Sequence, residues 1–186
     1  MKKIVALALS LMMLLGCVYG FAETAEKETI TMMGAFNITY DKLPEGYTLN
    51  VMTDTEMDYV ASITAEDASK PKILLTMAFS DEWDGVNTLA DATEEDIAAL
   101  KQDFYDVTEL DDGDIIFEDQ QTGMGTPVLV ARAVDNAFAA VYTIYMSHEI
   151  EVDIFPGDAE EGGVKDEDIQ NMLSFLTNVE FAPLAE

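Results

Sequence analysis

The sequence predicts an α+β fold, an antiparallel β-sheet flanked by helices, in a single domain over residues 30–182. Three observations predict it. Short runs rich in β-branched and aliphatic residues recur along the chain, bounded by turn chemistry. Two segments repeat apolar residues at helical spacing. The order of these elements is strands, helix, strands, helix, strand, and many of the links between strands are short enough for hairpins.

Ile30 to Tyr40 and Tyr47 to Thr53 read as strands, separated by Leu43-Pro44-Glu45-Gly46, whose Pro-x-Gly chemistry suits a turn. Tyr59 to Ala65 and Lys72 to Ser80 follow on either side of the loop Asp67-Ala68-Ser69-Lys70-Pro71, which makes two consecutive antiparallel hairpins. Thr93-Glu94-Glu95-Asp96 resembles a capping box: the Thr93 hydroxyl takes up a free backbone N–H, and acids sit at the positive end of the helix dipole. Ile97, Leu100 and Phe104 then share a face, so a helix runs from Thr93 to Tyr105.

Four strands come next, Asp114 to Thr122, Thr126 to Val134, Phe138 to Met146 and Glu149 to Phe155, and their short connectors make an antiparallel meander. In the last of them Ile150, Val152 and Ile154 alternate with Glu149, Glu151 and Asp153, which places one face on a core and the other in water. An acidic, glycine-rich loop from Pro156 to Lys165 leads to a second helix with Ile169, Met172, Leu173 and Leu176 on one face. Val179-Glu180-Phe181 reads as a short closing strand, and 183–186 as a tail.

The N-terminus reads as an export signal over residues 1–22. Lys2 and Lys3 precede an apolar run from Ile4 to Gly16, and polarity returns at Glu23. That run is shorter than the roughly 20 residues a membrane-spanning helix needs, and no later segment approaches that length, so no transmembrane segment is expected. Two processing sites compete. Gly20-Phe21-Ala22 has small residues where signal peptidase wants them and favours release with Glu23 first, followed by a polar leader over 23–29. Leu14-Leu15-Gly16-Cys17 resembles a lipobox, in which Cys17 carries a lipid anchor; the bulky Leu15 and the apolar residues after Cys17 weigh against it. Cys17 is the only cysteine, so no disulfide forms within the chain.

Loss of Lys2 and Lys3 with the signal takes the net charge from −28 to −30. Such a polyanion is repelled by nucleic acid and by anionic membrane surfaces, which argues against both; no nucleic-acid partner is expected. Cations and basic proteins are what its field attracts, although acidity also serves solubility alone.

The run "FNITYDKLPEGYTL" near the start, the Thr-Glu-Glu-Asp helix, the tyrosine-rich "VYTIYMSHEIEVDIF" and the closing "MLSFLTNVEF" together resemble the PsbP-like superfamily over about residues 30–182. The resemblance implies an α/β/α sandwich around an antiparallel sheet, in a non-catalytic accessory or binding protein of the cell envelope. It carries no shared site motif, so it assigns no functional residue.

No phosphate-binding loop, dinucleotide fingerprint, nucleophile elbow or H-E-x-x-H motif occurs. His148, the only histidine, falls at a hairpin tip without a second His or a Cys to share a metal. Two acidic clusters could offer oxygens to a hard cation: Glu109-Leu110-Asp111-Asp112-Gly113-Asp114, with Asp111, Asp112 and Asp114 as the ligands, and Asp158 to Gly163 running on to Asp166, Glu167 and Asp168. Neither has EF-hand spacing, and solvated loops of an acidic protein are the stronger reading of both. Trp83, between Glu82 and Asp84, is either an exposed anchor for a partner or a core residue at the sheet edge. The methionines of the mature chain are scattered and suit gap-filling in a core.

These features together describe an exported, non-catalytic accessory or binding module that recognises a basic protein or an envelope component. The alternatives are a low-affinity calcium-binding domain and, resting only on unpatterned carboxylates, a small secreted hydrolase.

Overall fold

In a computed structural model of the chain, residues 27–34, 36–41, 43, 45–122, 125–157, 163–170 and 182–183 are described. The export signal, most of the polar leader, Cys17, the acidic stretch 158–162 and the expected closing strand 179–181 lie outside them, as does the second helix beyond residue 170. Among the described residues no helix is long and apolar enough to cross a membrane.

The strands pair antiparallel in two sheets. β1 (Lys27–Met32), β2 (Phe36–Asp41) and β10 (Ala182–Pro183) form a small sheet in the order β1-β2-β10. The main sheet has seven strands: β3 (Tyr47–Asp54), β4 (Asp58–Ala65), β5 (Lys72–Phe79), β6 (Ile115–Gln121), β7 (Pro127–Ala133), β8 (Ala139–Tyr145) and β9 (His148–Phe155), in the spatial order β3-β4-β5-β9-β8-β7-β6. Helix α1 (Glu94–Thr108) lies between β5 and β6 in the chain. The architecture is thus a β-rich antiparallel one with few helices.

The expected strand from Ile30 to Tyr40 is instead a hairpin. Met33 and Gly34 both have positive φ, 56° and 61°, which reverses the chain inside what reads as one apolar run. Asp54 holds the reversal by accepting the Met33 N–H at 2.8 Å, tying the hairpin to the end of β3.

Two meanders, β3-β4-β5 and β6-β7-β8-β9, are fused by pairing of β5 with β9, from Lys72 opposite Phe155 to Phe79 opposite His148. β9 is therefore a central strand. One sheet face buries Tyr59, Ile63, Leu75, Met77, Val141, Val152 and their neighbours beneath Met32, Met33 and Phe36 of the small sheet and beneath Val164 and Ile169. The opposite face buries Ile115, Leu129, Ala131, Ala140, Tyr142 and Ile144 of β6, β7 and β8 under Leu100 and Phe104 of α1, with Trp83 and Leu89. Because β8 is covered on both faces, nearly every one of its residues is apolar and buried.

α1 starts as its sequence requires. Thr93 Oγ1 accepts the Asp96 N–H at 3.2 Å, and Asp96 Oδ2 accepts the Thr93 N–H at 2.8 Å. Ahead of α1, residues 80–87 are pinned to the β8–β9 turn. Met146 and Ser147 both have positive φ there, the geometry of a two-residue hairpin. Their N–H groups donate to Asn87 O and Val86 O, while Ser80 N–H donates to Ser147 O. This clamp sets the short 3₁₀ turn Asp81–Trp83 against the second face of β8 and β9.

Candidate functional site: a carboxylate-lined cleft beside the helix

Alternation along β9 gives Glu149, Glu151 and Asp153 a shared face. That face is the one α1 covers over β6 to β8, so the three acids are half-buried and do not stand in open water. This corrects the expectation drawn from alternation alone. The reason is topological: β9 is flanked on both sides, and the helix lies over its neighbour β8.

A cleft of about 290 Å³ opens between α1 and this acidic row. Glu149 and Glu151 form its sheet side, Ala99, Leu100, Phe104 and Val107 its apolar helix wall, and Asp96, Asp103 and Glu82 its remaining carboxylates. Trp83 and Tyr142 complete the lining. Among the described residues no Lys, Arg or His lines it. Three of the described cations are engaged elsewhere: Arg132 with Asp166, Lys70 over the Tyr47 ring and Lys101 over the Phe117 ring.

The aromatic wall is fixed by its own contacts. Trp83 Nε1 donates to Glu149 Oε1 at 2.7 Å. Its ring centroid lies 6.4 Å from that of Tyr142, which in turn meets Phe104 edge to face at 6.2 Å. Tyr142 is 4% accessible, and its hydroxyl, close to both Trp83 and Glu149, makes no hydrogen bond of good geometry with any described residue. Burial, then the nearby charge of Glu149, raises its pKa, so the hydroxyl stays neutral.

Electrostatically the row is under-compensated. Burial, then the neighbouring Asp153 carboxylate, pushes Glu151 up to about 8. Burial likewise raises Asp153, and the two carboxyls hydrogen-bond when one holds a proton. Asp96 is the opposite case: bonds from the Thr93 backbone and hydroxyl hold it below the usual carboxylate range. Chemically the cleft can hold and release a proton near neutral pH, and when ionised it can receive a cation.

Trp83 is not an exposed anchor for a partner. It is 5% accessible, packed on Tyr142 and tethered to Glu149, and it serves the cleft as a wall. Asp111, Asp112 and Asp114 lie in the turn between α1 and β6. Asp114 Oδ2 accepts the Asp111 N–H at 3.3 Å, and Asp112 Oδ1 accepts from Tyr105 at 3.4 Å. Among the described residues no group of three or more His, Cys, Asp or Glu is arranged to hold a metal. Of the second cluster, residues 158–162 are outside the description; Asp166 pairs with Arg132, and Asp168 Oδ2 accepts the Lys165 N–H. His148 packs between Phe36 and Phe79, with Nδ1 2.8 Å from Met146 O.

Sequence reasoning therefore missed Glu149, Glu151 and Tyr142 as site residues. One signal was available: an apolar β8 on both faces implies a covering layer, and β9 beside it then presents its acids beneath the rim of that layer. Compared with known proteins, the chain matches no protein-family model and no curated protein.

Proposed function

We propose that the chain is an exported, non-catalytic binding or accessory module that recognises a basic protein or envelope component through the acidic cleft beside α1. One observation carries the reading: five carboxylates and an aromatic wall converge on a concave site whose described lining holds no cation of its own. Aromatic and acidic groups together favour a positive partner, and the net charge of −28 steers such partners toward the molecule. Export follows from the signal-like N-terminus, by release after Ala22 or, as the alternative, by lipid anchoring at Cys17. The fold reading that accompanies it is the helix-flanked, PsbP-like sandwich, supported by α1 on one face of the sheet and by helical residues 166–170, whose Ile169 joins the core on the other.

The test is retention of envelope proteins on immobilised residues 23–186 at low and high ionic strength, with Glu149→Gln/Glu151→Gln as the comparison. A basic partner held by the parent at low salt and lost from the double variant is the expected result. Equal retention by both proteins, or none by either, removes the support.

A further inference from the structure

The cleft has a chemistry more specific than negative charge. Its helix side is hydrocarbon, from Ala99, Leu100, Phe104 and Val107. Its sheet side is Glu149 and Glu151, and the Tyr142 hydroxyl, buried there beside Trp83 and Glu149, makes no well-formed hydrogen bond with any described residue. Buried hydroxyls are normally satisfied, and leaving one unpaired carries the full cost of its desolvation. A bare metal ion makes no use of the apolar wall, and no group of described residues is arranged to ligate one. What fits both sides is a cation with N–H donors at the end of a short alkyl stem.

We infer that the cleft takes an alkylammonium or guanidinium group, its stem along the helix wall, its charge against Glu149 and Glu151, and one N–H donated to the Tyr142 hydroxyl. The inference rests on the cleft being the partner site proposed above, and it names the partner's chemistry. The same group could come from a lysine or arginine side chain or from a free amine. The groups facing Glu151 are Asp153 and Glu149 on its own strand, Tyr142 on β8, Asp96 and Asp103 on α1, and Glu82 ahead of the helix; on β5, Thr76 lies opposite Glu151 and Leu74 opposite Asp153, with Lys72 on the same face further along, opposite Phe155. With no base among the described residues lining the cleft, the carboxyl pair Glu151–Asp153 keeps a proton near neutral pH. An arriving cation replaces that proton, which passes to the buffer.

Titration of residues 23–186 at pH 7 tests this with n-butylamine, an N-acetylated, C-amidated Gly-Gly-Lys-Gly-Gly peptide, tetramethylammonium and sodium at one ionic strength. Calorimetry in two buffers of different ionisation enthalpy and Trp83 fluorescence supply the readouts. The expected result is saturable binding of butylamine, the peptide or both, with proton release. Tyr142→Phe should weaken it about fivefold, the worth of one hydrogen bond, and Glu151→Gln should weaken it while abolishing the proton release. Butylamine alone binding points to a free amine, and the peptide alone to a protein side chain; either keeps the inference. Tetramethylammonium, which has no N–H, binding as tightly as butylamine overturns it, as does a response no different from sodium; both comparisons stand even where a variant fails to fold. Butylamine binding with no basic envelope partner retained sinks the proposed function and leaves this inference. A cleft-dependent partner with no amine binding does the reverse.

Discussion

Trp83 and Glu149, 66 positions apart, are joined by a 2.7 Å hydrogen bond from the indole Nε1 to the carboxylate Oε1. That bond ties the turn ahead of α1 to the central strand β9 and fixes the wall of the acidic cleft. It also gives Glu149 a donor within an array of acids that otherwise repel one another.

Trp83→Phe keeps an aromatic ring in the core and removes that donor. A hydrogen bond to a charged group is worth roughly 1.5–3 kcal/mol, and the smaller ring adds a packing loss. A destabilisation of about 2–4 kcal/mol is expected by urea denaturation followed by circular dichroism. A loss under about 0.5 kcal/mol, the size typical of surface substitutions, would mean that the indole does not anchor the strand.

Stability should fall as pH rises from 5 to 8. Folding raises Glu151 from 4.5 to about 8, and Asp153 moves the same way, so the native state keeps a proton that the unfolded chain releases within that window. The contribution is fully present below the unfolded value and is lost as pH climbs through the folded one. Asp67 and Asp96, whose values are lowered by folding, act only in more acidic solution. Self-repulsion of the polyanion has the same sign as the Glu151 effect, so Glu151→Gln separates them. Its melting temperature should exceed the parent's at pH 8 and show a flatter pH dependence. A shift of several degrees is expected, because 1 kcal/mol moves a domain of this size by roughly 2–4 °C. Parallel curves for the two proteins would remove Glu151 as the titrating group.

The contrast between Thr93 and Glu151 shows what was legible in the sequence. The capping box is local: Thr93 and Asp96 are three residues apart, and their bonds follow once the helix starts. The two meanders are local as well, since short connectors leave little choice of neighbour. Pairing of β5 with β9 is not, because no turn encodes a union between strands separated by the whole of α1 and three other strands. Period-two alternation says which residues of β9 share a face and nothing about what covers that face. For the same reason Trp83 was balanced between anchor and core until its neighbours Tyr142 and Glu149 were located. The hairpin at Met33 and Gly34 was only half legible: Gly34 is a turn residue, but the left-handed methionine before it carries no turn signature, and one glycine inside an apolar run also fits a continuous strand.

Thr93→Ala should cost about 0.5–2 kcal/mol through loss of the cap on α1. The cleft's helix wall hangs on that helix, so amide hydrogen exchange should quicken in residues 94–98 and less at Leu100 and Phe104, which are buried against the sheet. Uniform acceleration along α1 would instead show that the helix docks as one unit and that the cap has no local role.

Gly157→Ala isolates a contact that no strand pattern anticipates. A Cβ at Gly157 would lie 2.2 Å from the carbonyl carbon and oxygen of Ser69 and 2.7 Å from the Lys70 oxygen, all backbone atoms. That loop cannot yield easily, because Ser69 N–H and Oγ both bond to Asp67 Oδ1, and Lys70 N–H bonds to Asp67 O. Overpacking of this kind costs about 1–3 kcal/mol. Gly46→Ala is the matched control: its φ of +87° strains an alanine, yet nothing lies within 4 Å of its Cβ. The strain of that left-handed backbone is worth roughly 1–2 kcal/mol. Measured by urea midpoint, a contact origin requires that replacing Asp67 by Ala, which frees the loop, recovers part of the Gly157→Ala loss and none of the Gly46→Ala loss. Additive losses at positions 67 and 157 would show that the rigidity of the Asp67–Lys70 loop does not set the cost at Gly157.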